Sequence, residues 1–502
     1  MPARLRLLLL AAVILAVLFF VGRPALFLGM VWLEDSKTPL PDPAAGKADF
    51  GGFNHSSPHD IVPIASDPNE AEAQLSALVA RATREGLQIS ISGARHSMGG
   101  HTLYPGGIAV DMLPFNRMSL DAQNGILTVG AGARWADIIP FLEKQGFAVA
   151  VMQSNNDFSV GGSISVNCHG WQPDSPPISS TVESFHLVTA AGTILRCSRT
   201  ENAELFSAVL GGYGLFGIIL DVDLRVVRNE LYRPELHETK PANYAQLYQQ
   251  LAENNPDVGL AYGRISVAPD SFLSDAYIVL LKKQARALVL GGPLPGHERG
   301  LFDRLVFRGS VGSDYGKNLC WQLQTWFGRY ASTALTRDQI MNEPSDWFAN
   351  RTPGEADILH EYFVPPDRLN DFIEAIRPIL LRDKPDLLNI TIRKVKADPD
   401  TLLRYAPADR FGLVMCFHQK LDADADNQME KLTREMITAA LTCGGTYYLP
   451  YRPHATVEQF HAAYPQSATF FAAKQKYDPI GIFQNQFYSK YGGSPATPAT
   501  SP

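Results

Sequence analysis

Ile91-Ser92-Gly93-Ala94-Arg95-His96-Ser97-Met98-Gly99-Gly100-His101 is the stretch on which the reading of this chain turns. Leu87 to Ser92 alternates apolar and polar residues, which predicts a strand, and the strand runs straight into a glycine turn. Such a turn exposes consecutive backbone N–H groups, fixed dipoles that can hold a pyrophosphate. An ordinary β-turn carrying a surface histidine would look the same. Three further stretches repeat the character. Leu127-Thr128-Val129-Gly130-Ala131-Gly132-Ala133-Arg134-Trp135 reads as strand, small-residue turn and helix start. Asp157 to Gly170 contains Ser159-Val160-Gly161-Gly162-Ser163-Ile164-Ser165 and closes on Asn167-Cys168-His169-Gly170. Leu210-Gly211-Gly212-Tyr213-Gly214-Leu215-Phe216-Gly217-Ile218-Ile219 is again glycine-rich ahead of a strand. Small side chains let backbone come close to a flat or phosphorylated ligand, and four such segments so close together are hard to read as coincidence.

Outward from these segments, helical spacing of Ala71, Leu75, Leu78, Val79 and Ala82 predicts a helix over Asn69–Glu85. Short strands are expected at 61–64, 108–111, 125–129, 148–151, 183–189, 193–197 and 218–227, and helices at 135–145 and 204–210. This is an α+β pattern without the long βαβ repeat of a dinucleotide fold. The character changes near Tyr232. Amphipathic helices at 243–254, 366–380 and 426–441 alternate with strands at 259–266, 276–280, 359–364, 387–395 and 411–418, which predicts an antiparallel sheet covered by helices on one face. From Tyr447 to Tyr491 the chain returns to aromatics, glycine and proline.

The chain has 502 residues, 45% hydrophobic and 19% charged, enough for one to three domains with a large buried core. Its 51 acidic and 44 basic residues give a net charge of -7, without the basic field that nucleic-acid binding requires. Five separated cysteines form no CxxC pair and no HExxH occurs, so spacing encodes neither a metal site nor a disulfide framework. Leu5 to Val21 is apolar apart from Arg6, and after Gly22-Arg23-Pro24 the run resumes from Ala25 to Trp32. That is long enough for a slightly interrupted membrane helix, although a cleaved secretory signal has the same basic start and apolar centre. Arg4 and Arg6 ahead of the run would keep that side in the cytoplasm and send the body across, giving a periplasmic enzyme tethered to the inner membrane, or a secreted form if cleaved.

With these motifs in their order, the chain resembles the flavoenzymes of the vanillyl-alcohol oxidase and p-cresol methylhydroxylase type, over roughly Ser56 to Val227 and again from Tyr447 to Phe487. The resemblance implies a two-part PCMH-type FAD-binding domain with an inserted substrate domain. It divides the chain into an anchor or signal at 1–32, a linker at 33–55, the FAD-binding domain at 56–230, a substrate domain at 231–446, a return segment at 447–491 and a tail at 492–502. It implies cofactor contacts at Gly93, Ala94, Arg95, His96, Ser97, Met98, Gly99, Val160, Gly161, Gly162, Ser165, His169, Gly212, Gly217 and Ile219. In that family a histidine at the place of His96 is often joined covalently to FAD. His101 and Cys168 are the competing attachment points. Tyr448-Leu449-Pro450 resembles the cytokinin dehydrogenases, and Asp478-Pro479-Ile480-Gly481-Ile482-Phe483-Gln484-Asn485 resembles the family's closing motif, which implies Asn485 near the isoalloxazine.

FAD carries the redox step, so the protein must present a C–H bond and manage a proton. Ser154 stands where cytokinin dehydrogenases carry an aspartate. Thr391-Ile392-Arg393-Lys394-Val395-Lys396-Ala397-Asp398 is similar to the active strand of alditol and aldonolactone oxidases, with Thr391 in place of their glutamate. The resemblance implies that Arg393 positions a substrate oxygen. His418 and His360 are the candidate bases, His360 preceding Glu361-Tyr362-Phe363-Val364-Pro365, a string that resembles a strand of the sugar-lactone oxidases. The expected activity is oxidation of a hydroxyl-bearing carbon in a sugar, polyol, lactone or other small molecule, with oxygen or another electron acceptor. Oxidation of an amine or aromatic side chain, and a non-catalytic flavin or electron carrier, are the alternatives.

Overall fold

The computed structural model describes residues 3–38, 48–284, 294 and 300–493. Pro39, Pro41 and Gly46 of the expected linker, and the tail beyond Gly493, lie outside the described residues. The helix Pro68–Glu85 begins where Asp67 accepts the N–H groups of Asn69 and Glu70, and it ends at Gly86 with φ 67°. Its buried stripe is Ala71, Leu75, Leu78, Val79 and Ala82, each large apolar side chain worth roughly 1.5–3 kcal/mol.

The amino-terminal half holds two sheets. A parallel one orders Asp60–Pro63, Ile108–Asp111 and Ile89–Ser92. An antiparallel one orders Met118–Asp121, Ile126–Gly130, Ile218–Arg228, Val182–Val188 and Ile194–Ser198, with Phe147–Val149 also on the long strand. The second half is one eight-stranded antiparallel sheet in the order Leu335–Thr336, Leu231–Thr239, Ala276–Lys283, Val258–Ile265, Asp386–Val395, Arg410–Lys420, Glu355–Val364, Thr446–Tyr447. The architecture is a mixed α/β first half with an inserted antiparallel-sheet domain.

The carboxyl segment locks the halves together. Ile89 donates its N–H to Ile482 O at 2.7 Å and accepts from Gln484 N–H at 2.9 Å. Lys474, fully buried, bridges to Leu215 O at 2.8 Å and Phe483 O at 2.9 Å and pairs with Asp478, so the Tyr213–Phe216 turn is tied to the end of the chain.

Helices Leu301–Arg308 and Asp314–Tyr330 were outside the expected pattern. Their apolar residues do recur at helical spacing, although few residues are buried and Phe302, Trp326, Phe327 and Tyr330 are exposed. The expected break at Gly22-Arg23-Pro24 is a π-helical turn, Leu18–Gly22, joining Ala3–Val17 to Arg23–Asp35. The second of these helices docks on the pair just named: Phe27 meets Tyr315 edge-on at 5.1 Å, Arg23 lies 4.1 Å over the same ring, and Arg304 donates to Asp35 at 2.7 Å.

Candidate flavin site

Between the two halves lies a cleft that is partly open to solvent. One wall is backbone and small side chains. A Cβ on Gly93 would meet Ser159 Oγ at 2.0 Å, and one on Gly161 would meet Ala131 Cβ at 2.9 Å. Three non-glycine residues at or beside this wall have left-handed backbone: Arg95 (φ 56°), Asn167 (φ 49°) and Tyr213 (φ 54°). Side chains in this region cost energy and recur where a binding site over-determines the turn. Arg95 thus holds, as arginine, the left-handed turn that suits glycine.

The wall carries unsatisfied polar atoms. His96 Nδ1, Ser97 Oγ, Thr102 Oγ1 and both ring nitrogens of His101 are buried without hydrogen-bond partners, and all four residues line the cleft. Buried polar groups are normally paired, so these fit a polar ligand. His96 is stacked between Phe158 at 4.2 Å and Phe50 at 5.3 Å. Burial pushes the His96 and His101 rings down to about 4, so both are neutral at pH 7. Cys168, also at the cleft, is driven the other way: burial pushes its thiol up to about 12.

Of the expected cofactor contacts, Gly93, Ala94, Arg95, His96, Ser97, Gly161, Gly162, Ser165, His169, Gly217 and Ile219 line the cleft. Met98, Gly99, Val160, Gly212 and Asn485 stand behind it. Met98 donates its N–H to Pro450 O at 2.9 Å and Val160 donates to Ala133 O at 2.9 Å, both as structural backbone. Gly99 and Gly212 admit close backbone, since a Cβ would meet Tyr451 O at 2.5 Å and Ala208 O at 2.1 Å respectively. Asn485 caps Gln486–Tyr491 by accepting from Tyr488 N–H at 2.9 Å, and it donates to Tyr213 O at 2.8 Å. It holds the turn rather than facing the cleft.

The opposite side is the face of the large sheet. Arg393 reaches the cleft, donating from Nη2 to Ser154 Oγ at 2.6 Å and from Nη1 to His169 O at 3.4 Å. The two histidines expected as bases are elsewhere. His360 points to the opposite sheet face, between Thr433 Oγ1 at 3.3 Å and the Tyr362 hydroxyl at 3.2 Å, and burial presses it down to about 3. His418 sits near the end of an interior strand, with Nδ1 2.7 Å from Asp357 and Nε2 3.1 Å from Glu355. Strand alternation explains the first, since in Leu359-His360-Glu361-Tyr362 the cleft takes Leu359 and Glu361, whereas His418 shares the parity of the cleft residue Val414 but lies four residues beyond it.

Glu361 is the residue sequence reasoning overlooked. Its Oε1 lies 2.6 Å from His169 Nε2, with side chains 2% and 5% exposed, and Tyr451 hydroxyl donates to Oε2 at 3.5 Å. Phe363, Tyr405 and Tyr448 ring His169 at 5.3, 5.8 and 5.9 Å. Thr391, Val414 and Glu361 share one cross-strand row. The carboxylate absent at Thr391 is therefore present two strands away, about 10 Å along the same row.

Fold and cleft together fit a chain in which an FAD-binding domain is joined to a second domain built on one antiparallel sheet. A family profile described as an FAD binding domain matches residues 69–198. The chain is similar to decaprenylphosphoryl-beta-D-ribose oxidase of Mycolicibacterium smegmatis, 26% identical over 437 residues, 81% of this chain and 89% of the relative. It is also similar to cytokinin dehydrogenase 2 of Arabidopsis thaliana, 30% identical over 177 residues, and to L-gulonolactone oxidase of Bos taurus, 32% identical over 151 residues. These two matches cover 35% and 30% of this chain, and span 35% and 34% of the relatives' own lengths.

Proposed function

We propose that the protein oxidises a hydroxyl-bearing carbon of a small molecule such as a sugar, polyol or lactone. FAD, when bound, supplies the two-electron acceptor for the hydride. The observation that carries this reading is the convergence of Arg393 and the His169–Glu361 pair on one cleft. His169, steadied by Glu361, takes the hydroxyl proton as the C–H bond breaks. Arg393 holds the oxygen on which negative charge develops. The aromatic ring around His169 keeps water from the reacting carbon. A guanidinium in the cleft disfavours a cationic amine. Oxygen or another small acceptor completes the turnover.

His96 is proposed as the covalent attachment point. A neutral ring with a free, buried Nδ1 supports it, whereas the high thiol pKa of Cys168 disfavours a rival bond there. The amino-terminal helix is proposed as an uncleaved anchor with the body periplasmic. Arg4–Asp35 passes the length and apolarity of a membrane span, with none of that stretch buried. Removing it would strip Asp35 from Arg304, whose side chain is 5% exposed.

Anaerobic mixing with alcohols, sugars and lactones should bleach the flavin, and acid-precipitated protein should stay yellow. His96→Ala should lose that retained colour. Bleaching by amines alone would overturn the substrate reading, and an adduct mapped to Cys168 or His101 would overturn the linkage. Mass analysis of the membrane-extracted protein should find residues 1–35 still attached.

A further inference from the structure

Two arginines share one face of the large sheet without a carboxylate at ion-pair distance: Arg393, which lines the cleft, and Arg264 next to it. Arg264 on Val258–Ile265 is directly opposite Thr391 on Asp386–Val395. Arg393 is two residues beyond Thr391 on the same face, so the arginines stand diagonally, about 7–8 Å apart at the backbone. Arg264 Nη1 donates to Asn389 Oδ1 at 2.7 Å, and Asn389 Nδ2 donates on to Thr391 Oγ1 at 2.9 Å. Arg393 reaches only a serine hydroxyl and a backbone carbonyl, and its Nε is buried without a partner. Among the described residues, no carboxylate oxygen lies within 4.0 Å of either guanidinium. Arg304 and Arg308, buried nearby, are by contrast each paired with an aspartate.

Half-buried cations with neutral partners are costly unless something supplies negative charge. We infer that the substrate is itself an anion, a hydroxylated compound whose carboxylate or phosphate is received by Arg264 while Arg393 holds the reacting hydroxyl. The inference rests on the hydroxyl-oxidation reading and adds the substrate's charge. The diagonal spacing sets the anionic group several bonds from the reacting carbon. Trp171 stacks on Tyr262 at 4.8 Å, two residues from Arg264 on the same strand, and its buried indole N–H has no partner, which offers one more donor. Planar guanidinium forks suit both carboxylate and phosphate.

Glu343 is the acidic group whose charge is felt by both arginines. Burial pushes it up to about 7, with Arg264 and Arg393 pulling it down and Asp303 pushing it up; Tyr262 also faces this cluster. Below neutrality it is protonated and leaves the arginines uncompensated. Above it, the carboxylate competes with the ligand, so anion affinity falls as pH rises from about 6 to about 8.

The test is isothermal titration of the FAD-loaded protein with inorganic phosphate, tartrate and neutral erythritol. One of the two anions should bind 1:1, at least about tenfold tighter than erythritol, and which one does separates phosphate from carboxylate recognition. Arg264→Gln should lose that margin while Arg264→Lys keeps most of it, with FAD content unchanged in both. Glu343→Gln should remove the weakening above neutrality. No saturable anion binding, or equal binding in Arg264→Gln, overturns the inference. Bleaching by neutral alcohols would then still support the oxidation reading, whereas anion binding without bleaching by any hydroxyl compound would sink that reading alone.

Discussion

One wall of the cleft is backbone, glycine and left-handed turns between residues 93 and 219, whereas the floor is long charged side chains standing on rigid strands, Glu361 and Arg393, with His169 brought over from the wall. A backbone wall is close-packed on itself, so an added carbon at Gly93 or Gly161 presses on Ser159 or Ala131 and shifts the wall. A side-chain floor works through charge and hydrogen bonds, so a substitution there removes chemistry while leaving the shape. The two should fail differently when mutated.

Filling the wall has the largest expected effect. Gly161 N–H donates to Ala131 O at 2.8 Å, and a Cβ would press on Ala131 Cβ at 2.9 Å and Ala131 O at 3.1 Å. Gly161→Val should yield a colourless protein that keeps its far-UV circular dichroism, read as flavin absorbance per polypeptide. A fully yellow variant would show that the wall tolerates side chains and would erase the contrast.

The floor comes next. Glu361→Gln removes the carboxylate 2.6 Å from His169 and should slow flavin reduction by about 10²–10⁴, the scale of a lost general base system. Arg393→Ala should cost about 10²–10³, as for a lost transition-state donor. Both variants should remain as yellow as the parent, and stopped-flow reduction is the measurement. Loss of colour in either would mean that the floor, too, holds the cofactor.

The same contrast governs how much could be read before the structure. The wall is local: each glycine segment is contiguous, so Gly93 to Ser97 and Gly161-Gly162 announce themselves. Even so, Gly99 and Gly212 look the same in sequence and stand behind the cleft, because a glycine signals close approach without saying what approaches. The floor is non-local. Glu361 became visible only once antiparallel register put it in a row with Val414 and Thr391, and Arg264 only through its pairing opposite Thr391. Histidine chemistry drew attention to His360, while the period-two alternation that turns it away from the cleft was already in the strand.

The smallest effect probes the strain itself. Lys384 and Arg95 both hold left-handed backbone, at φ 46° and 56°. Lys384 does so as the exposed cap of Leu369–Asp383, donating its N–H to Leu380 O at 3.0 Å. For an L-residue this conformation costs roughly 1–2 kcal/mol, while glycine adds about 0.5–1 kcal/mol of unfolded-state entropy, so exchange for glycine should stabilise by up to about 1 kcal/mol. Lys384→Gly should raise the urea midpoint slightly and leave the flavin spectrum untouched. Arg95→Gly should give a similar gain, because its carbonyl contact to Phe50 N–H at 3.1 Å survives the change. The difference between the two variants then isolates what the Arg95 side chain does beside His96. Equal spectra and equal gains would make the left-handed turn at the wall a tolerated cost, whereas a gain at Lys384 with loss of covalent flavin at Arg95 would make that side chain part of how the wall grips its cofactor.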